Sequence, residues 1–152
     1  MPSSEREIEN LIARYAFLVD DGDFTGLGEL LEGAEFTLGA TTVSGAASIR
    51  HLAAEALQVY ADGTPRTRHV TTNLIIEVDE RAGTATSRSY YTVLQQTDGF
   101  ALQPIATGRY RDTFERLGGT WRFASRVVGE QFDGDRSHHL RALRDPGTST
   151  AP

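Results

Sequence analysis

A histidine, an aspartate and a tyrosine in this chain have the chemistry to move protons together. His69 sits inside the strand-like run Arg66-Thr67-Arg68-His69-Val70-Thr71-Thr72-Asn73-Leu74-Ile75-Ile76-Glu77-Val78, and Tyr15 and Asp20 lie near the end of an N-terminal helical pattern. An imidazole serves as a base near neutral pH once a carboxylate on its far nitrogen fixes the tautomer and stabilises the charged form. A phenol adds a hydrogen-bond donor for an oxygen that becomes negative. Each residue also has an ordinary structural alternative: a satisfied strand histidine, a carboxylate that begins a turn, a core aromatic whose hydroxyl reaches the surface. Asp21, about 100° further round the helix, is a rival carboxylate.

Composition removes other chemistries. All 15 basic residues are arginine, which excludes a lysine Schiff base. Cysteine is absent, and with it thiol nucleophiles, disulfides and thiolate zinc sites. The four histidines, 51, 69, 138 and 139, are the only nitrogen ligands, and His138-His139 in a polar tail without a carboxylate cluster is assigned no metal. The formal charge of −6 comes with basic residues spread along the chain, which argues against nucleic acid. No apolar run approaches the roughly 20 residues needed to span a bilayer, and the opening Met1-Pro2-Ser3-Ser4-Glu5-Arg6-Glu7 is polar and acidic rather than signal-like. A cytoplasmic protein without a membrane partner is expected. Lysine-free, Ala/Gly/Arg-rich usage points to a high-GC bacterial source.

The elements that must position these residues follow from periodicity. The 152 residues, 39% hydrophobic and 24% charged, predict one globular domain over 1–135 and a C-terminal extension over 136–152. The extension is expected to be partly flexible, because Asp145-Pro146-Gly147-Thr148-Ser149-Thr150-Ala151-Pro152 has linker composition. Ser4-Glu5-Arg6-Glu7 has capping-box spacing, and Ile8, Leu11, Ile12, Tyr15, Leu18 and Val19 then recur at three and four residues, which predicts an amphipathic helix. Asp20 and Asp21 fall in its last turn, where the helix dipole disfavours carboxylates, so something else must hold them there.

A second helix is expected over Thr25 to Leu31, then short strands at 35–38 and 41–43, then a third helix capped by Ser44. From Thr64-Pro65 onward the pattern turns to β, with strands over 66–78, 83–97, 100–116 and 120–130 joined by turns of hairpin composition. Helices first and long antiparallel strands second is the α+β pattern. Tyr110, Asp112, Phe114 and Arg116 alternate onto one strand face. An inward Arg116 needs Asp112 or a substrate oxygen as partner, and a cross-strand surface pair is the alternative.

Several segments together resemble a known family. Tyr15-Ala16-Phe17-Leu18-Val19-Asp20, Thr67-Arg68-His69-Val70-Thr71-Thr72-Asn73, Gly108-Arg109-Tyr110-Arg111-Asp112-Thr113-Phe114-Glu115-Arg116 and Gly119-Thr120-Trp121-Arg122-Phe123, in that order and spacing, are similar to SnoaL-like members of the nuclear transport factor 2-like superfamily. The resemblance covers roughly residues 5 to 130. It implies a cone: a curved, mixed, mainly antiparallel sheet closed by the N-terminal helices around a deep pocket. It also implies acid–base chemistry without a cofactor, as in scytalone dehydratase, bile acid 7α-dehydratase, hexachlorocyclohexane dehydrochlorinase, ketosteroid isomerase and polyketide cyclases. The helix aspartate and strand histidine of the dehydratases fall on Asp20 and His69, the tyrosine of the bile acid enzyme on Tyr15, and the pocket arginine of the dehydrochlorinase on Arg116. The second histidine of scytalone dehydratase has no counterpart two strands on, where Tyr90, Tyr91 and Leu94 stand, and the dehydrochlorinase lysine is missing.

The resulting expectation is a cofactor-independent lyase or isomerase acting on a hydrophobic cyclic, polyketide- or steroid-like compound. Asp20, His69 and Tyr15 are its expected catalytic residues, and Asn73, Arg116, Tyr91, Phe17, Leu57 and Phe114 its expected substrate-binding residues, with Leu52 also lining the pocket. Asn73 shares strand parity with His69, and a backbone-pairing role at a bulge is its alternative. A homodimer is expected through the outer sheet face. The rival reading is a noncatalytic ligand-binding or dimeric accessory module of the same fold, and epoxide hydrolysis is a third. Burial of Asp20 and His69 within hydrogen-bond reach favours the enzyme; a pocket plugged by side chains favours the module.

Overall fold

A computed structural model describes residues 1–144. Three α-helices precede or interrupt the early strands: α1 (Ser4–Asp20), α2 (Phe24–Leu30) and α3 (Ala46–Ala56). Six strands, β1 (Glu35–Leu38), β2 (Thr41–Ser44), β3 (Thr67–Asp79), β4 (Thr84–Thr97), β5 (Phe100–Leu117) and β6 (Thr120–Asp133), form one sheet in the order β2-β1-β6-β5-β4-β3. Among the described residues β1 runs parallel to β6, and the other four pairings are antiparallel. The mixed α+β architecture and the mainly antiparallel sheet agree with the sequence expectation. Among the described residues no helix is long and apolar enough to cross a membrane.

The helix boundaries differ in detail. The α1 cap is Ser3, whose hydroxyl accepts from the Arg6 amide at 3.3 Å, one residue before the predicted Ser4. Gly45, at φ 89°, rather than Ser44 precedes α3, and no side chain caps that helix. The apolar stripe of α1, Ile8, Leu11, Ile12, Tyr15 and Val19, is buried and α1 lies across β3, which brings its last residue, Asp20, beside the start of that strand.

The four long strands alternate as expected, but bulges change which residues face inward. On β3 the register shifts between Thr72 and Ile75, and Asn73 sits in the left-handed region at φ 55°. His69 therefore faces inward, whereas Asn73 is exposed in the bulge, and Leu74, Ile76 and Val78 resume the inner face. A second shift lies between Thr113 and Phe114, opposite β6. It carries the inward set of β6 from Trp121 and Phe123 to Arg126 and Val128. The lower core is filled by Phe114 and Phe123, with ring centroids 4.7 Å apart, and by Trp121.

After β6 the chain turns at Gly134 and folds back as a strap over residues 134–144. Leu140 bridges to Leu57. The Gln58 amide donates to the His139 carbonyl at 2.8 Å, and its side-chain nitrogen donates to the carbonyls of Ser137 and Leu140. The Tyr60 hydroxyl donates to the His138 carbonyl, and the His138 ring stacks on Phe100 at 4.1 Å. The flexibility expected of 145–152 concerns residues outside those described.

Candidate active site

Asp20 closes α1 at the helix end where a carboxylate is least welcome, and three hydrogen bonds hold it there. Its Oδ2 accepts from the His69 main-chain amide at 2.7 Å, and its Oδ1 accepts from the Thr67 hydroxyl at 2.8 Å and lies 2.6 Å from His69 Nδ1. All three donors belong to Thr67 and His69 at the start of β3, and the Thr67 hydroxyl and the His69 amide fix the carboxylate that in turn fixes the ring. Nδ1–H pointing at Asp20 selects the tautomer whose Nε2 carries the lone pair. The dyad is buried, and the His69 ring lines the large cavity between the helices and the sheet. Asp21, the rival carboxylate, is exposed.

That cavity has a volume of about 410 Å³ and is walled largely by apolar and aromatic side chains, among them Val19, Phe36, Leu52, Leu57 and Val93. It is not plugged. Three tyrosines run along one wall: Tyr15 meets Tyr110 edge-on at 5.7 Å, and Tyr110 stacks on Tyr91 at 4.5 Å. Burial pushes the Tyr15 hydroxyl above its ordinary value, with the nearby Arg126 charge offsetting part of the effect, and pushes Tyr91 up to about 12. Both phenols stay protonated at neutral pH, so each keeps a proton to donate. Tyr91 gives its hydroxyl proton to Gln131 Oε1 at 2.7 Å, an approach that needs Gly108: a Cβ there would lie 2.5 Å from the Tyr91 oxygen.

A second buried carboxylate lies behind the tyrosines. Asp112 receives two hydrogen bonds from Arg126, at 2.8 and 2.9 Å, and one from Ser87 at 3.2 Å. Neither charged side chain has any exposed surface. The guanidinium is stacked 3.8 Å from the Tyr110 ring centre and 4.2 Å from that of Tyr15. Burial works against the Arg126 charge, and the Asp112 carboxylate more than offsets it.

The structure brings together Tyr15, Asp20, His69, Tyr91, Leu52 and Leu57, and separates the remaining candidates from the cavity. Phe17 is 69% exposed on the outer side of α1. Phe114 is buried but packs on Phe123 rather than on the cavity. Asn73 is turned out by its bulge. Arg116 is tied to Glu80, through Oε2 at 2.5 Å and the carbonyl at 2.7 Å, and lies over Trp121. The arginine paired with Asp112 is Arg126. Strict alternation from Trp121 and Phe123 would place Arg126 on the outer face, and only the bulge at Thr113/Phe114 turns it inward.

Sequence reasoning also missed Tyr110, Gln131, Arg136 and His139, all of which line the cavity. Tyr110 carried a signal in its shared strand face with Asp112. His139 comes from the strap, and nothing local in the sequence says that the strap returns to α3. Its Nδ1 is buried without a partner, and burial, together with the neighbouring His69, pulls it down to about 4.

The chain belongs to the SnoaL-like domain family, whose sequence signature matches residues 3–127. The sheet and helices are those of the nuclear transport factor 2-like, cystatin-like fold. A nuclear transport factor 2-like protein of that fold from Novosphingobium aromaticivorans is 28% identical over 93% of this chain and 88% of its own, with a TM-score of 0.67. Aln2 from a Streptomyces species is 28% identical over 84% of this chain and 92% of its own, with a TM-score of 0.66. A proposed scytalone dehydratase from Novosphingobium aromaticivorans, 20% identical over 95% of this chain and 94% of its own, shares the fold at a TM-score of 0.64. No curated protein matches the sequence.

Proposed function

We propose that this protein is a cofactor-independent lyase or isomerase that abstracts a proton from a hydrophobic cyclic compound. One observation carries the reading: a buried carboxylate 2.6 Å from the Nδ1 of a histidine whose ring lines an open, apolar cavity. A histidine kept only for packing does not need its tautomer fixed, its amide anchored and its ring presented to empty space. In the proposed reaction His69 Nε2 removes a proton from carbon beside a carbonyl, and the C–H electron pair flows into the carbonyl as an enolate. Asp20 stabilises the imidazolium. Tyr15 donates to the enolate oxygen. A β-hydroxyl then leaves with its bonding pair, takes the proton back from His69 and departs as water; return of that proton to another carbon is isomerisation instead. The family membership and the dehydratase-like fold relative support this class of chemistry.

The unplugged cavity disfavours the noncatalytic module. Purified protein incubated with a panel of hydroxylated ring ketones tests the proposal: loss of the mass of one water, or an isomer of unchanged mass, is expected with wild type and not with His69→Ala. Equal conversion by both proteins would overturn it.

A homodimer is proposed through the outer sheet face, where Ile75, Arg88, Arg111 and Val127 align in register across four strands and Val70 and Tyr90 lie exposed nearby. Light scattering at micromolar concentration should give twice the 16.6 kDa chain mass; a monomer would contradict it.

A further inference from the structure

His139 is the polar side chain of the cavity that the proposed chemistry leaves unused. The strap holds it through main-chain bonds: its carbonyl accepts from the Gln58 amide and its amide donates to the Arg136 carbonyl at 3.0 Å. The backbone is therefore fixed while the ring is left without a partner: Nδ1 is shut in by protein, and Nε2 is the nitrogen that a ligand can reach. The residue is 8% exposed and lines the same cavity as His69. A neutral imidazole presents one donor and one acceptor, and leaving such a group buried and unpaired is unfavourable. The other polar groups near the strap are engaged. Gln131 accepts from Tyr91 and donates to Asp133, and Arg136 is paired with Asp133 at 3.1 Å. The charged or titratable groups that act on His139 are His69, Asp20 and Arg136.

We propose that His139 is a second ligand-binding group, and that the compound occupying the cavity carries, besides the oxygen presented to His69 and Tyr15, a second uncharged oxygen, a hydroxyl or carbonyl, that hydrogen-bonds to the His139 imidazole. The inference rests on the cavity being a small-molecule site, as in the proposed function, but its readout is binding. Burial keeps the ring neutral at pH 7, so it recognises an uncharged oxygen as donor or acceptor, in the way a neutral imidazole polarises a carbonyl. The strap thereby does more than cover the cavity: it selects among flat apolar rings by the presence of a second polar substituent.

Calorimetric titration with 2-naphthol and naphthalene-2,7-diol, which differ by one hydroxyl, tests this at neutral pH. Wild type should bind the diol about 10-fold more tightly than 2-naphthol. His139→Leu should lose that preference while its 2-naphthol affinity stays within about 2-fold, and His139→Gln, with an amide in place of the ring, should keep part of it. The same diol preference in His139→Leu as in wild type overturns the proposal, as does no preference in wild type or no binding of either compound. Should His139→Leu not fold, imidazole ¹⁵N resonances of wild type decide: a His139 shift on adding diol but not 2-naphthol supports the assignment, and equal or absent shifts refute it. Failure of the turnover experiment on His69 would leave these binding results standing, so the two readings fail separately.

Discussion

Two buried carboxylates are held against cations or would-be cations in this fold, and they are built to opposite ends. Asp112 is enclosed: Arg126 takes both its oxygens, Ser87 adds a third bond, and stacked aromatic rings seal the pair from water. Asp20 is equally well bonded, but its partner His69 keeps a ring nitrogen toward an open cavity. The first arrangement turns nothing toward the cavity, its one unpartnered nitrogen, Arg126 Nη1, being buried, and it serves the wall. The second leaves one basic lone pair where a ligand enters, on the side of the pair not occupied by protein. Burial and hydrogen-bond count do not separate a structural pair from a reactive one; the group left facing empty space does.

The contrast is sharpest if each pair is broken. Asp20→Asn should cost turnover on the order of 100-fold to 10,000-fold with the fold retained, because an amide NH₂ set against the Thr67 hydroxyl or the His69 donors cannot hold the productive tautomer. Kinetics on the compound found by the panel would show it; a loss under about 5-fold would mean that His69 does not depend on Asp20. Asp112→Ala should instead lower stability by about 3–5 kcal/mol, since it strands a buried guanidinium. Urea unfolding measures this, and a change under about 1 kcal/mol would show that water reaches Arg126.

His139 gives a smaller, pH-dependent effect. Its folded value is about 4 against 6.5 for a free imidazole. The unfolded chain therefore binds a proton first as pH falls, and stability that is full above about 6.5 is lost on going down toward 4, by on the order of 3 kcal/mol. Denaturant midpoints across that window should fall in wild type and fall less in His139→Gln. Equal slopes would contradict the buried, neutral ring. The smallest effect is expected at the position first given the pocket role: Arg116→Gln breaks a pair with exposed Glu80 and should leave turnover and ligand affinity unchanged.

Much of this was legible in the chain. The 3.6-residue stripe of α1 and the alternation of the long strands fix the α+β architecture, and the pairing of Asp20 with His69 followed from the resemblance of their two segments to the SnoaL-like family. What was illegible has physical causes. Asn73 takes the bulge position that was the alternative to its place in the pocket, and Arg126 carried no signal, because single-residue bulges invert strand parity. Phe17 was read as pocket-lining, yet it faces outward between Tyr15 and Val19, which lie on the buried stripe. His139 depends on a long-range return of the strap onto Leu57 and Gln58, set by tertiary hydrogen bonds rather than by its neighbours in sequence.

The most direct measurement is proton exchange in D₂O. A ring ketone that binds the cavity is incubated with wild type and with folded His69→Ala, and deuterium uptake at the carbon beside the carbonyl is followed by mass spectrometry. Uptake with wild type that falls by ~100-fold or more in His69→Ala is expected if His69 is the base. Uptake at near-wild-type rate in folded His69→Ala would contradict the dyad as the seat of the chemistry.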